Sequence, residues 1–148
     1  MKIRYKYGID KEAYKEDIEF IQKAVRSIGK ALNMEDWRLT VEFKSKHPDD
    51  TVIDTNLLKL ADTEAEGQYK SGYIRFFLDS MRDKDETRED NFETILHEMM
   101  HCVVSLMASN IEEQHPKAMQ TVAYAEEVLV THLEKLPIWK TVFAELNN

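Results

Sequence analysis

Asn91-Phe92-Glu93-Thr94-Ile95-Leu96-His97-Glu98-Met99-Met100-His101-Cys102-Val103-Val104-Ser105-Leu106-Met107-Ala108 is the stretch on which the reading of this chain turns. Phe92, Ile95, Leu96, Met99, Val103, Val104 and Met107 recur at steps of three and four, which predicts one amphipathic helix over about 91–108. Asp90 followed by Glu93 is a capping pair suited to its start. His97 and His101 stand four residues apart, on one helical face and about 6 Å apart along the axis, so their imidazoles can converge on a single cation. Glu98 is turned by about 100° from His97, where a carboxylate reaches the same spot without ligating. The order His, Glu, His at this spacing is the HExxH pattern, a layout suited to metal-assisted hydrolysis.

A catalytic zinc site takes three protein ligands and leaves a fourth position open. The candidates for the third are Glu112, Glu113, His115, Glu126 and Glu127. A polar segment through Asn110, Glu112, Glu113, Gln114, His115 and Pro116 separates the motif helix from a second long one, about 117–136, which Pro137 stops. On that helix Val122, Ala125, Leu129, Leu133 and Leu136 define the expected buried stripe. Glu126 falls within the stripe and Glu127 is turned about 100° away. An ionised carboxylate in an apolar stripe is costly unless a cation takes it, so Glu126 is the expected third ligand. His115 could ligate from the connecting segment, but the compact HExxHxxGxxH arrangement is absent, with Val at 104 and Met at 107.

Working outward, Tyr14, Ile18, Ile21, Val25, Ile28 and Leu32 predict a helix over about 10–33. Leu39, Val41 and Phe43 alternate with Arg38, Thr40, Glu42 and Lys44, the pattern of a half-buried strand over 37–44. His47-Pro48-Asp49-Asp50 reads as a loop, and Leu57 to Ala61 as a short strand. Gly67 and Gly72 punctuate the next segment, and 68–79, especially Tyr73-Ile74-Arg75-Phe76-Phe77-Leu78, has the aromatic and branched composition of a strand. Residues 79–91 carry charge of both signs and predict a solvated connection. After Pro137, Trp139, Val142, Phe143 and Leu146 share one face of a short last helix.

At 148 residues the chain has the length of one domain, 1–148, able to bury a core without cross-links. Cys102 is its only cysteine, which excludes an intramolecular disulfide and a cysteine-rich zinc site. Met1-Lys2-Ile3-Arg4-Tyr5-Lys6-Tyr7 places charges where a secretory signal needs an apolar run, and no later segment offers about 18 uninterrupted apolar residues. A soluble, cytoplasmic protein without membrane contact is the expectation. The formal net charge of −8, with both signs interspersed, disfavours nucleic acid as a partner.

On two segments, His97-Glu98-Met99-Met100-His101 and Ala125-Glu126-Glu127-Val128-Leu129-Val130, the chain resembles the gluzincin branch of zinc metallopeptidases, in which a glutamate on the next helix completes HExxH. It is most similar to the minimal members, small metallopeptidases of phages, prophages and bacteria. The resemblance implies an α+β, zincin-like fold: an N-terminal helix, a small, mainly antiparallel three-stranded sheet, two zinc-binding helices and a short C-terminal helix. It implies Zn²⁺ on His97, His101 and Glu126, Glu98 as general base, and a peptide or protein substrate aligned along Tyr73 to Leu78 as edge strand. Larger members carry an aspartate four residues after the ligand glutamate to orient a histidine; here that position is Val130, and Glu93 is one candidate for the task. Tyr69, His115, Tyr124 and His132 are candidates for stabilising an oxyanion. The competing expectation is a zinc-binding interaction or regulatory protein that does not cleave.

Overall fold

A computed structural model of the chain describes residues 1–48, 58–115, 117 and 119–146, without the side chain of Glu112. Asp49, Asp50, Leu57 and Pro116, parts of the expected loop, strand and interhelical segment, lie outside the described residues. The architecture is α+β. Its first strand, β1 (Lys2–Tyr7), alternates Lys2, Arg4 and Lys6 with Ile3, Tyr5 and Tyr7. Helix α1 (Lys15–Ala31) comes next, burying Ile18, Ile21, Ala24, Val25 and Ile28. It ends in a Schellman arrangement around Asn33 at φ 55°, with Met34 N donating to Gly29 O at 2.9 Å and Asn33 N to Lys30 O at 3.1 Å.

Strand β2 (Arg38–Lys44) runs parallel to β1, from Lys2 opposite Arg38 to Tyr7 opposite Phe43. Strand β3 (Ala61–Glu66) passes through a 3₁₀ turn, Gly67–Tyr69, into β4 (Ser71–Phe77), its antiparallel partner. β4 also pairs in parallel with β2, so the order is β1-β2-β4-β3. The expected three-stranded, mainly antiparallel sheet is therefore corrected to four strands with two parallel pairings out of three. The physical reason is the β1-α1-β2 sequence: parallel neighbours need a crossover, and α1 supplies it.

A second correction concerns the edge. Tyr73 to Leu78 was expected there, but β4 lies inside the sheet, and the strand at the border beside the motif helix is β3. Composition explains the exchange. β4 contributes Ile74 and Phe76 to the core on one face, whereas β3 offers Ala61, Thr63 and Ala65 on that face and Asp62, Glu64 and Glu66 on the other. The strand expected from Leu57 thus starts only at Ala61 and continues to Glu66.

The expected charged connection contains α2 (Leu78–Asp83) before the long motif helix α3 (Arg88–Gln114) begins. Thr87 is its N-cap and Asp90 the third residue of its first turn: Asp90 N donates to Thr87 Oγ1 at 3.1 Å, and Thr87 N to Asp90 Oδ2 at 2.9 Å. The capping pair is therefore Thr87 with Asp90, not Asp90 with Glu93, and the helix runs six residues past the expected Ala108. Helix α4 (Met119–Leu133) returns across α3, and α5 (Ile138–Leu146) docks through Trp139, whose Nε1 donates to Leu133 O at 2.9 Å. Helices α1 and α3 cover one face of the sheet, where Ile21, Val25, Ile28, Ile95, Leu96 and Met99 meet Val41, Phe43, Ile74 and Phe76. Gly67 lets the 3₁₀ turn lie directly on α3: a Cβ there would fall 2.3 Å from Leu106 Cα. Among the described residues no helix is long and apolar enough to cross a membrane.

Candidate metal centre

His97 and His101 leave α3 on the side where the sheet ends in β3 and where α4 crosses. Their Nε2 atoms face each other at 3.1 Å. Glu127, on α4, brings Oε1 to 3.4 Å from His97 Nε2 and Oε2 to 3.3 Å from His101 Nε2. These three residues form the one group of His, Cys, Asp and Glu side chains among the described residues that could hold a metal ion. Zn²⁺ with Zn–N and Zn–O distances of about 2.0–2.1 Å in tetrahedral array separates its ligand atoms by roughly 3.3 Å. The observed spacings match that edge length.

Behind each imidazole stands a carboxylate. His97 Nδ1 lies 2.8 Å from Glu134 Oε2, and His101 Nδ1 lies 2.9 Å from Glu126 Oε1. A carboxylate oxygen accepts, so a neutral imidazole in either place carries its proton on Nδ1 and presents the lone pair of Nε2. Two lone pairs and a carboxylate then converge on one point with no donor between them. Such a set is stable around a cation and repulsive without one, so the donors fit zinc.

Glu126 was the expected ligand; the group whose ligand atoms converge contains Glu127 instead, while Glu126 Oε1 lies beside His101 Nδ1. Glu126 is indeed in the buried stripe, but the stripe is centred on Val122 and Val130, with Ala125 and Leu136 exposed. With a side chain 21% exposed, Glu126 meets the back of the His101 ring, while Glu127, 55% exposed, faces Nε2. Glu134, which sequence reasoning passed over in favour of Glu93, orients His97. It stands seven residues after Glu127, two turns along the same face, a spacing that would have revealed it. Four residues after Glu127 stands Thr131, whose Oγ1 donates to Glu127 O at 2.9 Å, and Val130 is fully buried in the core.

Glu98, next to His97 on α3, faces β3. Thr63 Oγ1 donates to its Oε2 at 2.6 Å, and Oε1 has no partner among the described residues. Burial pushes its carboxyl above the usual range, and the Thr63 hydroxyl and the two histidines oppose that push. Two grooves flank the centre. One of about 280 Å³ is bordered by Ala61, Glu93, Thr94, His97, Glu98 and Glu134. The other, about 270 Å³, is bordered by Thr63, Ala65, His101, Ser105, Ser109 and Glu126. Cys102 is buried beneath, its thiol pushed up to about 12 by that burial, which leaves it inert.

The remaining expected residues border neither groove. His115 is the C-cap of α3, about 21 Å along the helix from His101. Glu113 is exposed near the same end, and Tyr69 and Tyr124 are 62% and 73% exposed. His132 directs Nδ1 to Val128 O at 2.7 Å within α4. Compared with known proteins, the chain matches no family model, no curated protein and no solved structure.

Proposed function

We propose that the chain is a zinc-dependent peptidase of the gluzincin type on a zincin-like fold, with His97, His101 and Glu127 as ligands and Glu98 as general base. The observation that supports it best is the shared groove. His97 and Glu98 border the same cavity, the first carrying a lone pair and the second a buried carboxylate with one oxygen already tied down. Zinc, when bound, supplies Lewis-acid polarisation of a carbonyl and acidifies water to near neutrality. Glu98 accepts the proton of the attacking water at Oε1 and returns it to the leaving amine. Thr63 holds the other oxygen, so the carboxylate keeps one orientation through both transfers. Glu126 and Glu134 keep the two imidazoles in the tautomer that ligates. Among the described residues β3 pairs with β4 alone, so its other edge is suited to an extended peptide beside the centre.

One observation favours a second reading, a zinc-binding interaction protein that does not cleave. None of Tyr69, His115, Tyr124 and His132 borders either groove, so no oxyanion donor is assigned. Metal analysis of the purified protein, followed by a peptide-library digest beside Glu98→Gln, separates the two. The peptidase reading expects one zinc per chain in both proteins and cleavage by the wild type alone. Zinc in both with cleavage by neither selects the second reading; failure of both to retain or take up zinc overturns both.

A further inference from the structure

At the other end of the motif helix, between α1, α2 and the first turns of α3, lies a separate cavity of about 240 Å³. It shares no residue with the centre or its two grooves. Ile21, Leu78 and Met81 form its apolar wall. Asp17 is clamped by two guanidinium groups, with Arg82 Nη2 at 2.8 Å, Arg82 Nε at 2.9 Å and Arg88 Nη1 at 2.9 Å. The clamp uses only part of their capacity. Each guanidinium carries five N–H donors, so Arg82 Nη1 and Arg88 Nε and Nη2 remain for another acceptor.

The opposite side of the cavity has the reverse imbalance. The Glu86 side chain is only 8% exposed, and its cation is Lys84, 3.4 Å from Oε1. Glu86 Oε2 and Asn91 Oδ1 are buried and have no hydrogen-bond partner among the described residues. Two orphaned acceptors beside one cavity are a cost the fold does not recover internally, and burial raises the Glu86 carboxyl in keeping with that. A ligand that donates hydrogen bonds would recover it.

Charge chooses between ligands. Asp17 lies between Arg82 and Arg88, and Glu86 beside Lys84, three cations to two carboxylates, so a dication would enter a cavity whose surroundings already carry net positive charge. A zwitterion adds no net charge and brings a carboxylate to the two guanidinium groups. Drug-sized ligands occupy about 300–1,000 Å³, so the occupant is smaller. We propose that this cavity binds a free apolar α-amino acid, its ammonium on Glu86 Oε2 and Asn91 Oδ1, its carboxylate on Arg82 and Arg88, and its side chain against Ile21, Leu78 and Met81. The site is independent of the zinc reading, since none of its residues touches the centre.

Calorimetric titration of the intact protein with free L-leucine tests it, alongside isoamylamine, which lacks the carboxylate, and isocaproate, which lacks the ammonium. Saturable leucine binding is expected, at least tenfold weaker for each truncated analogue and at least tenfold weaker in Glu86→Gln, a change of about 1.4 kcal/mol per decade. Asn91→Leu, checked for fold by circular dichroism, gives the second arm and is expected to weaken binding in the same sense. No saturable binding of leucine or any other apolar amino acid overturns the proposal. Equal leucine binding by wild type and Glu86→Gln does so too, as does a Glu86-dependent gain in Tm from calcium chloride without any from amino acids, which would make the cavity a cation site.

Discussion

The centre of the sheet and its β3 border treat the helices above them differently. Toward β2 and β4, large residues point inward: Val41, Phe43, Ile74 and Phe76 are fully buried against α1 and α3. Toward β3 the inward residues are Ala61, Thr63 and Ala65, too small to fill the space below α3. The centre makes a core, and the border leaves grooves that His97, Glu98 and His101 line. Stability and chemistry are thereby divided between opposite sides of one helix, with Ile95, Leu96 and Met99 on one and the histidines on the other.

The largest effect expected from that division is on the core side. Phe76→Ala should lower unfolding free energy by about 3–5 kcal/mol, because a fully buried ring leaves a cavity that close-packed neighbours cannot fill. Thr63→Ala, two strand positions from Phe76's partner Ala61, should cost less, about 1.5–3 kcal/mol, the worth of its hydrogen bond to the buried Glu98 carboxylate. Urea denaturation of both would break the comparison if the two losses were equal.

Next comes the centre itself, where exposure and importance are predicted to run opposite to the usual order. Glu127→Ala should weaken zinc binding by more than about a hundredfold, whereas Glu126→Gln and Glu134→Gln, which only orient a histidine, should cost about 10–100-fold. Competition with a chelator reads the difference. A larger loss for Glu126→Gln than for Glu127→Ala would return the third ligand to the buried stripe.

That inversion also marks the limit of the sequence. The motif helix, β2, β4 and α5 were legible because their apolar residues repeat at the period of the element they form. β1 carried a legible signal as well, Ile3, Tyr5 and Tyr7 alternating with charges, but its partner β2 lies beyond a whole helix, so nothing local pointed to a sheet. β3 was hidden by its own role: a border strand with Ala and Thr inward lacks the hydrophobic alternation that announces strands. For the third ligand, burial was a sound guide to which glutamate needed a partner and a poor guide to what the partner was. Glu126 found an imidazole N–H, and the open coordination side belonged to its exposed neighbour.

A smaller effect probes how closely the open border is held to α3. At Gly67 a Cβ would meet the backbone of the helix, 2.3 Å from Leu106 Cα and N and 2.6 Å from Ser105 C, so the 3₁₀ turn must move away. Gly67→Ala should cost about 1–3 kcal/mol, as overpacking does. At Gly72 the first atom met is Cys102 Sγ at 2.8 Å, a side chain that can yield, and Gly72→Ala should cost less. Thermal denaturation ranks the two, and the reverse order would mean that the sheet's contact with α3 is tightest at β4.

The smallest effect belongs to the start of α3, which serves both regions alike, and it carries a pH signature. The Thr87 hydroxyl and backbone N–H hold the Asp90 carboxyl below its usual range. A group whose folded pKa is lowered adds stability above its unfolded pKa, near about 3.9, and that contribution disappears as pH falls through the folded value. Asp90→Ala should therefore cost about 1 kcal/mol at neutral pH, the typical value of a helix cap. The gap between variant and wild type should narrow as the pH drops below about 4, because protonated Asp90 no longer serves as an ionised acceptor at the positive end of the helix. Urea titrations at neutral and acid pH measure both gaps. A gap that stays constant down to the acid limit would show that Asp90 acts through packing rather than charge, and a gap above about 3 kcal/mol would show that the start of α3 is as consequential as the core it shares with Phe92 and Ile95.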